Sequence, residues 1–207
     1  MIKTYKILSL LLSYPSEELQ AFLPEAVREL SAEGLLSEEH LAGVREFADQ
    51  WDSHDLIDWQ AEYVQLFDSG RAASLYIFEH LKGDSKDRGQ AMVDLAEHYR
   101  SRGLHLTAPE LPDYLPVFLE FLSSLSQAEA AETLAGAVNV ISLIHSRLKA
   151  KQNIYRHLPG AVISLSATGP DKRSVSSGTA VSEPENPDSS YDEPVSFSNE
   201  NPCFNCK

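Results

Sequence analysis

The chain has 207 residues, 43% of them hydrophobic and 23% charged, which is enough for one globular domain with length to spare. Its 31 Asp and Glu against 17 Lys and Arg leave a formal net charge of -14, so a phosphate backbone would be repelled over most of the surface and nucleic acid is excluded as a natural partner. The only two cysteines, Cys203 and Cys206, cannot staple a fold, and no apolar run nears the roughly 20 residues of a membrane span. A reducing cytoplasm without a membrane span is the expectation. Lys3 and Lys6 ahead of Ile7 to Leu12 imitate the front of a signal peptide, but Ser13 to Glu18 lacks a small-x-small cleavage pattern.

Apolar residues recur at helical spacing through the first 167 residues, so the body reads all-α. Ile2, Tyr5, Leu8 and Leu12 form a first stripe that Pro15 ends. Ser16 caps a second helix, and Pro24 is expected in the first turn of a further segment, through Ala26, Val27 and Leu30, that Gly34 closes. Ser37 opens the next helix, with Leu41, Val44, Ala48 and Trp51 on one face, and Asp55 caps one carrying Leu56, Trp59, Tyr63, Leu66 and Phe67. After Asp68-Ser69-Gly70 the pattern lapses, returns weakly through Leu75, Tyr76, Phe78 and Leu81, and breaks again at Gly83-Asp84-Ser85. A helix from about Lys86 to Arg100 is expected to bury Ala91, Met92, Leu95, Ala96 and Tyr99, with Gly103 as its stop. Asp113 is expected to cap a helix with Leu115, Phe118, Leu119 and Leu122 inward and Pro116 in its first turn. Gln127 to about Lys149 reads as the longest helix, with Leu134, Val138, Ile141 and Leu148 inward. Asn153 to Ala167 admits two readings: a helix, or a strand at Val162 to Ser166 beyond Pro159-Gly160.

From Thr168 the composition turns to Ser, Pro, Asp, Glu and Asn, which cannot bury enough apolar surface to offset the ordering entropy. The expected division is therefore a helical domain over 1–167 and a disordered tail over 168–207 ending in Cys203-x-x-Cys206. The tail holds seven acids against Lys172, Arg173 and Lys207, so most of the negative charge belongs to the folded body.

Catalytic signatures are missing: there is no GxSxG, HExxH, GxGxxG or phosphate loop. Glu79-His80 with Asp84, Asp87 and Arg88 is the densest ionisable cluster near a loop; acid-base chemistry is conceivable there, and ion pairing that orders an irregular segment is the plainer reading. His145, on the stripe of Val138, Ile141 and Leu148, reads as a core-edge histidine. Cys203 and Cys206 have the spacing of half a zinc site or a redox pair, but two ligands are not a site, and they read as incidental unless a metal is shared between chains. Two stretches are dense in apolar and aromatic residues, Trp59 to Phe78 and Leu111 to Phe121. Most of these are core, yet both stretches border irregular backbone where a cleft between helices can accept an amphipathic peptide, and acidic walls would select a basic one.

The same stretches carry a family likeness. Glu62-Tyr63-Val64-Gln65-Leu66-Phe67-Asp68, Ser74 to His80, Gly83-Asp84-Ser85-Lys86-Asp87-Arg88-Gly89-Gln90-Ala91-Met92, and Glu110-Leu111-Pro112-Asp113-Tyr114-Leu115-Pro116 with Glu120-Phe121-Leu122 closely resemble the nitrate reductase delta subunit family, the NarJ-type molybdenum cofactor assembly chaperones. The match runs over about residues 1 to 150. It departs from the usual pattern at Pro159-Gly160, within a closing segment that the family makes helical, and in the long tail. The resemblance implies an all-helical, cytoplasmic, non-catalytic protein of the molybdoenzyme chaperone type. Its implied partner is the N-terminal segment of the apo catalytic (alpha) subunit of a membrane-bound respiratory nitrate reductase, together with proteins of cofactor biosynthesis. It would permit insertion of the molybdenum bis-guanine-dinucleotide cofactor before membrane docking, without binding the cofactor stably or remaining in the finished enzyme.

The expected peptide groove is lined by Tyr63, Leu66 and Phe67, by Leu75, Tyr76 and His80, and by Leu111 and Leu115. Glu62, Asp68, Glu79, Glu110 and Asp113 would form its rim. Among the motif residues, Gly83, Asp84, Arg88, Met92, Pro112 and Pro116 are expected to be structural. Two rival functions stay open: a hydrolase using Glu79 and His80, and a direct cofactor carrier using Arg88.

Overall fold

A computed structural model describes residues 1–80, 85–106 and 110–170. Nine α-helices make up the described body: α1 (Lys3–Leu11), α2 (Glu17–Glu33), α3 (Glu38–Asp52), α4 (Leu56–Tyr63), α5 (Ser85–Ser101), α6 (Leu115–Ser123), α7 (Gln127–Ala135), α8 (Val138–Ala150) and α9 (His157–Ser164). Among the described residues the only extended pairing is an isolated antiparallel bridge between Tyr76 and Tyr114.

Local chemistry accounts for several of the helix ends. Ser16 and Ser37 accept hydrogen bonds from Leu19 N and His40 N, Asp55 accepts one from Ile57 N, and Gly34 ends α2 in the left-handed region at φ 68°. Ser126 and Glu129 form a capping box on α7, and the Arg102 guanidinium helps hold the Glu129 carboxyl down at about 2. The central helix α1 buries Tyr5, Leu8 and Leu11 and packs against α2, α6 and α9.

Three expectations change. Pro24 does not begin a helix; it lies inside α2, exposed, so the carbonyl it leaves without a donor lies on the solvent side, while Leu19, Leu23, Ala26 and Leu30 keep one buried face. The long helix expected over 127–149 is two, because Gly136 N and Ala137 N bond to the carbonyls of Thr133 and Leu134, three residues back, and the ladder ends there. Among the described side chains of α5 only Tyr99 is fully buried; Ala91, Met92, Leu95 and Ala96 are half-buried.

The ambiguous closing segment is a turn of 3₁₀ helix (Ile154–Arg156) followed by α9. Pro159 is third in α9, where its missing N–H would have no partner anyway. Gly160 lies close under His145: a Cβ there would stand 3.2 Å from its Cε1, so the ring would have to give by a few tenths of an ångström. His145 itself donates from Nδ1 to the Arg156 carbonyl at 2.9 Å, the core-edge position expected of it. Ala167 N bonds to the Ala131 carbonyl at 3.0 Å, holding the end of the body against α7. The bulk of the proposed tail, Cys203 and Cys206 included, lies outside the described residues.

Candidate functional site

The site is built where α4 runs out. Val64–Asp68 continues it as a turn of π-helix, closed by Ser69 N onto the Val64 carbonyl at 2.9 Å. The wider turn keeps Tyr63 and Phe67 both inward while Asp68 emerges at the surface. Behind it stands an aromatic knot. Phe67 meets Tyr63 at 4.9 Å and Tyr155 at 5.0 Å between ring centroids, and Tyr155 meets Phe47 at 4.9 Å. Trp59 stacks on Trp51 at 5.5 Å and donates its indole N–H to Tyr155 Oη at 2.6 Å. The 3₁₀ turn before α9 thus supports the wall of the site.

Two irregular segments form the front. Ile77 N donates to the Asp113 carbonyl at 2.9 Å, Leu115 N to the Leu75 carbonyl at 2.8 Å, and Phe78 N to Asp113 Oδ2 at 3.0 Å. Asp113 therefore does not cap α6, whose N-cap is Tyr114; it is fully buried and joins the two segments. Burial raises its carboxyl above the usual range despite the Phe78 N–H and the Arg88 charge, and its Oδ1 has no hydrogen-bond partner among the described residues. Tyr63 Oη donates to the Leu12 carbonyl at 3.0 Å and lies 2.7 Å from Tyr114 Oη, so the bridge is also tied to α1. Burial pushes the Tyr114 hydroxyl up to about 12.

A cavity of about 290 Å³ opens between the π turn and this front, lined by Phe67, Asp68, Arg71, Ser74, Tyr76 and Glu79 among others. Tyr76 Oη donates to Glu110 Oε2 at 3.3 Å, and its ring lies 5.2 Å from that of Tyr114. Partial burial, then the nearby Glu110 charge, raises the Asp68 carboxyl. Leu111 adds an apolar side chain that is 43% exposed. The lining of the cavity is thus mainly polar, with Tyr76 as its accessible aromatic ring and Asp68 and Glu79 as its carboxylates, and exposed Leu111 lies outside it.

His80 is occupied. The Ser74 carbonyl, 2.8 Å from Nε2, can only accept, so Nε2 carries the proton and Nδ1 is left to accept from the Arg147 guanidinium at 3.3 Å. Burial, more than the Arg147 charge, holds its pKa below the ordinary histidine value. Arg147 also donates to the Ala72 carbonyl at 2.5 Å, pinning the site loop to α8. Glu79 lies 3.8 Å from Arg88.

The residues expected to line one groove separate into three groups. Asp68, exposed, and Tyr76 and Glu79, half-buried, line the cleft, and Glu110 reaches it through the Tyr76 hydroxyl; exposed Leu111 and half-buried Leu66 and His80 are not part of its lining. Tyr63, Phe67, Leu75, Asp113 and Leu115 are buried; in this conformation they hold the walls in place and only Phe67 also borders the cavity. Glu62 faces elsewhere: it accepts from Asn153 Nδ2 and borders a second cavity beside α8. Among the motif residues Pro112 receives the Tyr99 hydroxyl at 2.8 Å, Pro116 receives Ser9 Oγ at 2.7 Å, and Met92 is half-buried; Gly83 and Asp84 lie outside the described residues. Sequence reasoning missed Arg71, which lines the cavity, and Ser74 and Arg147, whose roles run through the Ser74 and Ala72 carbonyls, along a loop path that no periodicity records. Among the described residues no three His, Cys, Asp or Glu side chains are grouped to hold a metal, and no helix is long and apolar enough to cross a membrane.

The helical body has a counterpart among solved structures. The fold resembles the crystal structure of a putative redox enzyme maturation protein from Archaeoglobus fulgidus, with a TM-score of 0.57 and 27% identity over 77% of this chain and 90% of that one. The chain belongs to the nitrate reductase delta subunit family, whose model matches residues 17–157. It is 40% identical, over 82% of its length and 72% of the relative's, to the nitrate reductase molybdenum cofactor assembly chaperone NarJ of Escherichia coli K12. A probable chaperone of the same description from Bacillus subtilis is 31% identical over 75% of this chain and 83% of its own. These relatives are named as assembly chaperones and not as catalysts.

Proposed function

We propose that this protein is an assembly chaperone for a membrane-bound respiratory nitrate reductase. It binds the N-terminal segment of the apo catalytic subunit as an amphipathic, basic helix, keeps that subunit open to the molybdenum bis-guanine-dinucleotide cofactor, and leaves before the enzyme docks at the membrane. The observation that carries this reading is the 40% identity, over 82% of the chain, to a relative named for that assembly. The cleft supplies a means: Tyr76 offers a ring within it, Leu66 and Leu111 lie accessible on the segments that carry it, and Asp68, Glu79 and Glu110 bring negative charge. No chemistry is needed. A chaperone that prefers the immature conformer holds that population, and about 1.4 kcal/mol of differential affinity shifts the ratio of states tenfold.

The rival readings fit the geometry less well. A hydrolytic base at His80 would need a free ring nitrogen, and both are engaged. A carrier would need Arg88 for a phosphate, yet it stands by Glu79, with buried Asp113 in its field. In this reading the cofactor is cargo for the partner, and proteins of cofactor biosynthesis meet the complex of the two. Deleting the gene in a nitrate-respiring host should leave the catalytic subunit present without its cofactor. Fully loaded, active reductase in that strain contradicts the proposal.

A further inference from the structure

A second opening, of about 660 Å³, is larger than the peptide cleft and shares no lining residue with it. It lies where α8 turns into α9, bordered by Lys149, Lys151 and Arg156 and, from α3 and α4, by Glu46 and Glu62. Residues 145–157 contain His145, Arg147, Lys149, Lys151, Arg156 and His157 and not one acid, in a chain of net charge -14. The two acids across the cavity are already engaged. Glu62 takes the Asn153 amide, and Glu46 lies 3.2 Å from His157 Nε2 and 3.8 Å from the Arg156 guanidinium. Arg156 also donates to the carbonyls of Gln152 at 3.0 Å and Asn153 at 3.1 Å. Lys149 and Lys151, both exposed, have no hydrogen-bond or ion-pair partner among the described residues. The lining thus sets three cations against two carboxylates, with Lys149 and Lys151 unpaired at its edge, a net positive place in an acidic chain that an acidic segment fits.

The chain carries such a segment. Glu183, Glu185, Asp188, Asp192 and Glu193 fall within eleven positions that hold no Lys or Arg. We propose that this acidic run docks intramolecularly on the Lys149–Lys151 face and fills the basic cavity. The described body ends at Pro170. The eight residues of α9 carry the chain ~12 Å from Arg156 and residues 165–170 add at most ~20 Å, while the thirteen steps from Pro170 to Glu183 reach up to ~45 Å, so the return is within range. A tether of this length holds the acids near the face at roughly millimolar effective concentration, which makes weak, screened ion pairs sufficient. The contact covers the basic face against other acidic segments and leaves the peptide cleft open.

Zero-length carbodiimide crosslinking of the full-length protein, read by peptide mass spectrometry, tests the contact directly. A mixture of ¹⁴N- and ¹⁵N-labelled chains separates links within a chain from links between chains. Tail carboxylates should join Lys149 and Lys151 within one chain, at about five times or more the yield onto Lys3 and Lys6, and ~0.5 M salt should abolish the difference. Tail links spread evenly over the lysines, absent links, or mixed-isotope links that assign the face to a second copy would each overturn the proposal.

Discussion

Two halves of one short stretch, Trp59 to Phe67 and Asp68 to His80, obey different rules. The first points its large side chains into a closed aromatic knot in which Trp59, Tyr63 and Phe67 meet Tyr155, and its polar atoms find partners inside. The second has few large buried side chains and is held by backbone: Leu75 and Ile77 to the segment around Asp113, Ala72 to Arg147, Ser74 to His80. Packing fixes the knot, and hydrogen bonds through loops fix the cleft. A stable wall therefore stands beside a front whose side chains, Tyr76, Glu79 and Asp68, remain available to a partner.

The largest effects should come from the knot. Trp59→Ala removes a fully buried indole and leaves the Tyr155 hydroxyl without its donor, and should cost about 3–5 kcal/mol in denaturant unfolding. A loss below about 1 kcal/mol would show that the knot is not load-carrying core. A leucine pair sharpens the comparison next. Leu115→Ala, at 0% exposure, should lose about 2–5 kcal/mol of stability, whereas Leu111→Ala, at 43%, should change it by less than about 0.5 kcal/mol and weaken peptide binding instead. Equal stability losses at both positions would erase the distinction between wall and surface.

Acid should loosen the α8–α9 junction. Burial holds His145 and His157 below the ordinary histidine value of about 6.5, so an unfolded chain takes up these protons first as pH falls. The stability they contribute is therefore complete above about pH 6.5 and declines below it. Lower protection of α9 amides from exchange at pH 5.5 than at pH 7.5, relative to α1, is expected; the reverse order would contradict it. The smallest effect is at the rim: neutralising Asp68 and Glu110 together should mainly slow peptide association and flatten its salt dependence, with the dissociation rate nearly unchanged.

The helices were legible in the sequence because local rules specify them: Ser16, Ser37, Asp55, Gly34 and Gly103 mark ends that the structure keeps. Errors arose where tertiary packing overrode a local signal. Pro24 is carried by the buried face of its helix, and Pro159-Gly160 fits because one residue sits in a first turn and the other lies beneath a histidine ring. The site was legible as a region and not as a surface. Leu75, Asp113 and Leu115 lie in the same motifs as Tyr76 and Leu111, and composition cannot say which of two neighbours turns inward. The bridge between Tyr76 and Tyr114 decides that, and it joins residues 38 positions apart.

The central claim is that the cleft in front of the knot holds a basic, helical peptide from the catalytic subunit. Titration calorimetry with that subunit's N-terminal peptide tests it, using Tyr76→Ala and Leu111→Ala after circular dichroism and melting show each to be folded. Each truncation of a real anchor should weaken binding by about 2 kcal/mol, some thirtyfold. Folded variants that both bind like the wild type would place the peptide elsewhere on the molecule and contradict this account of the cleft.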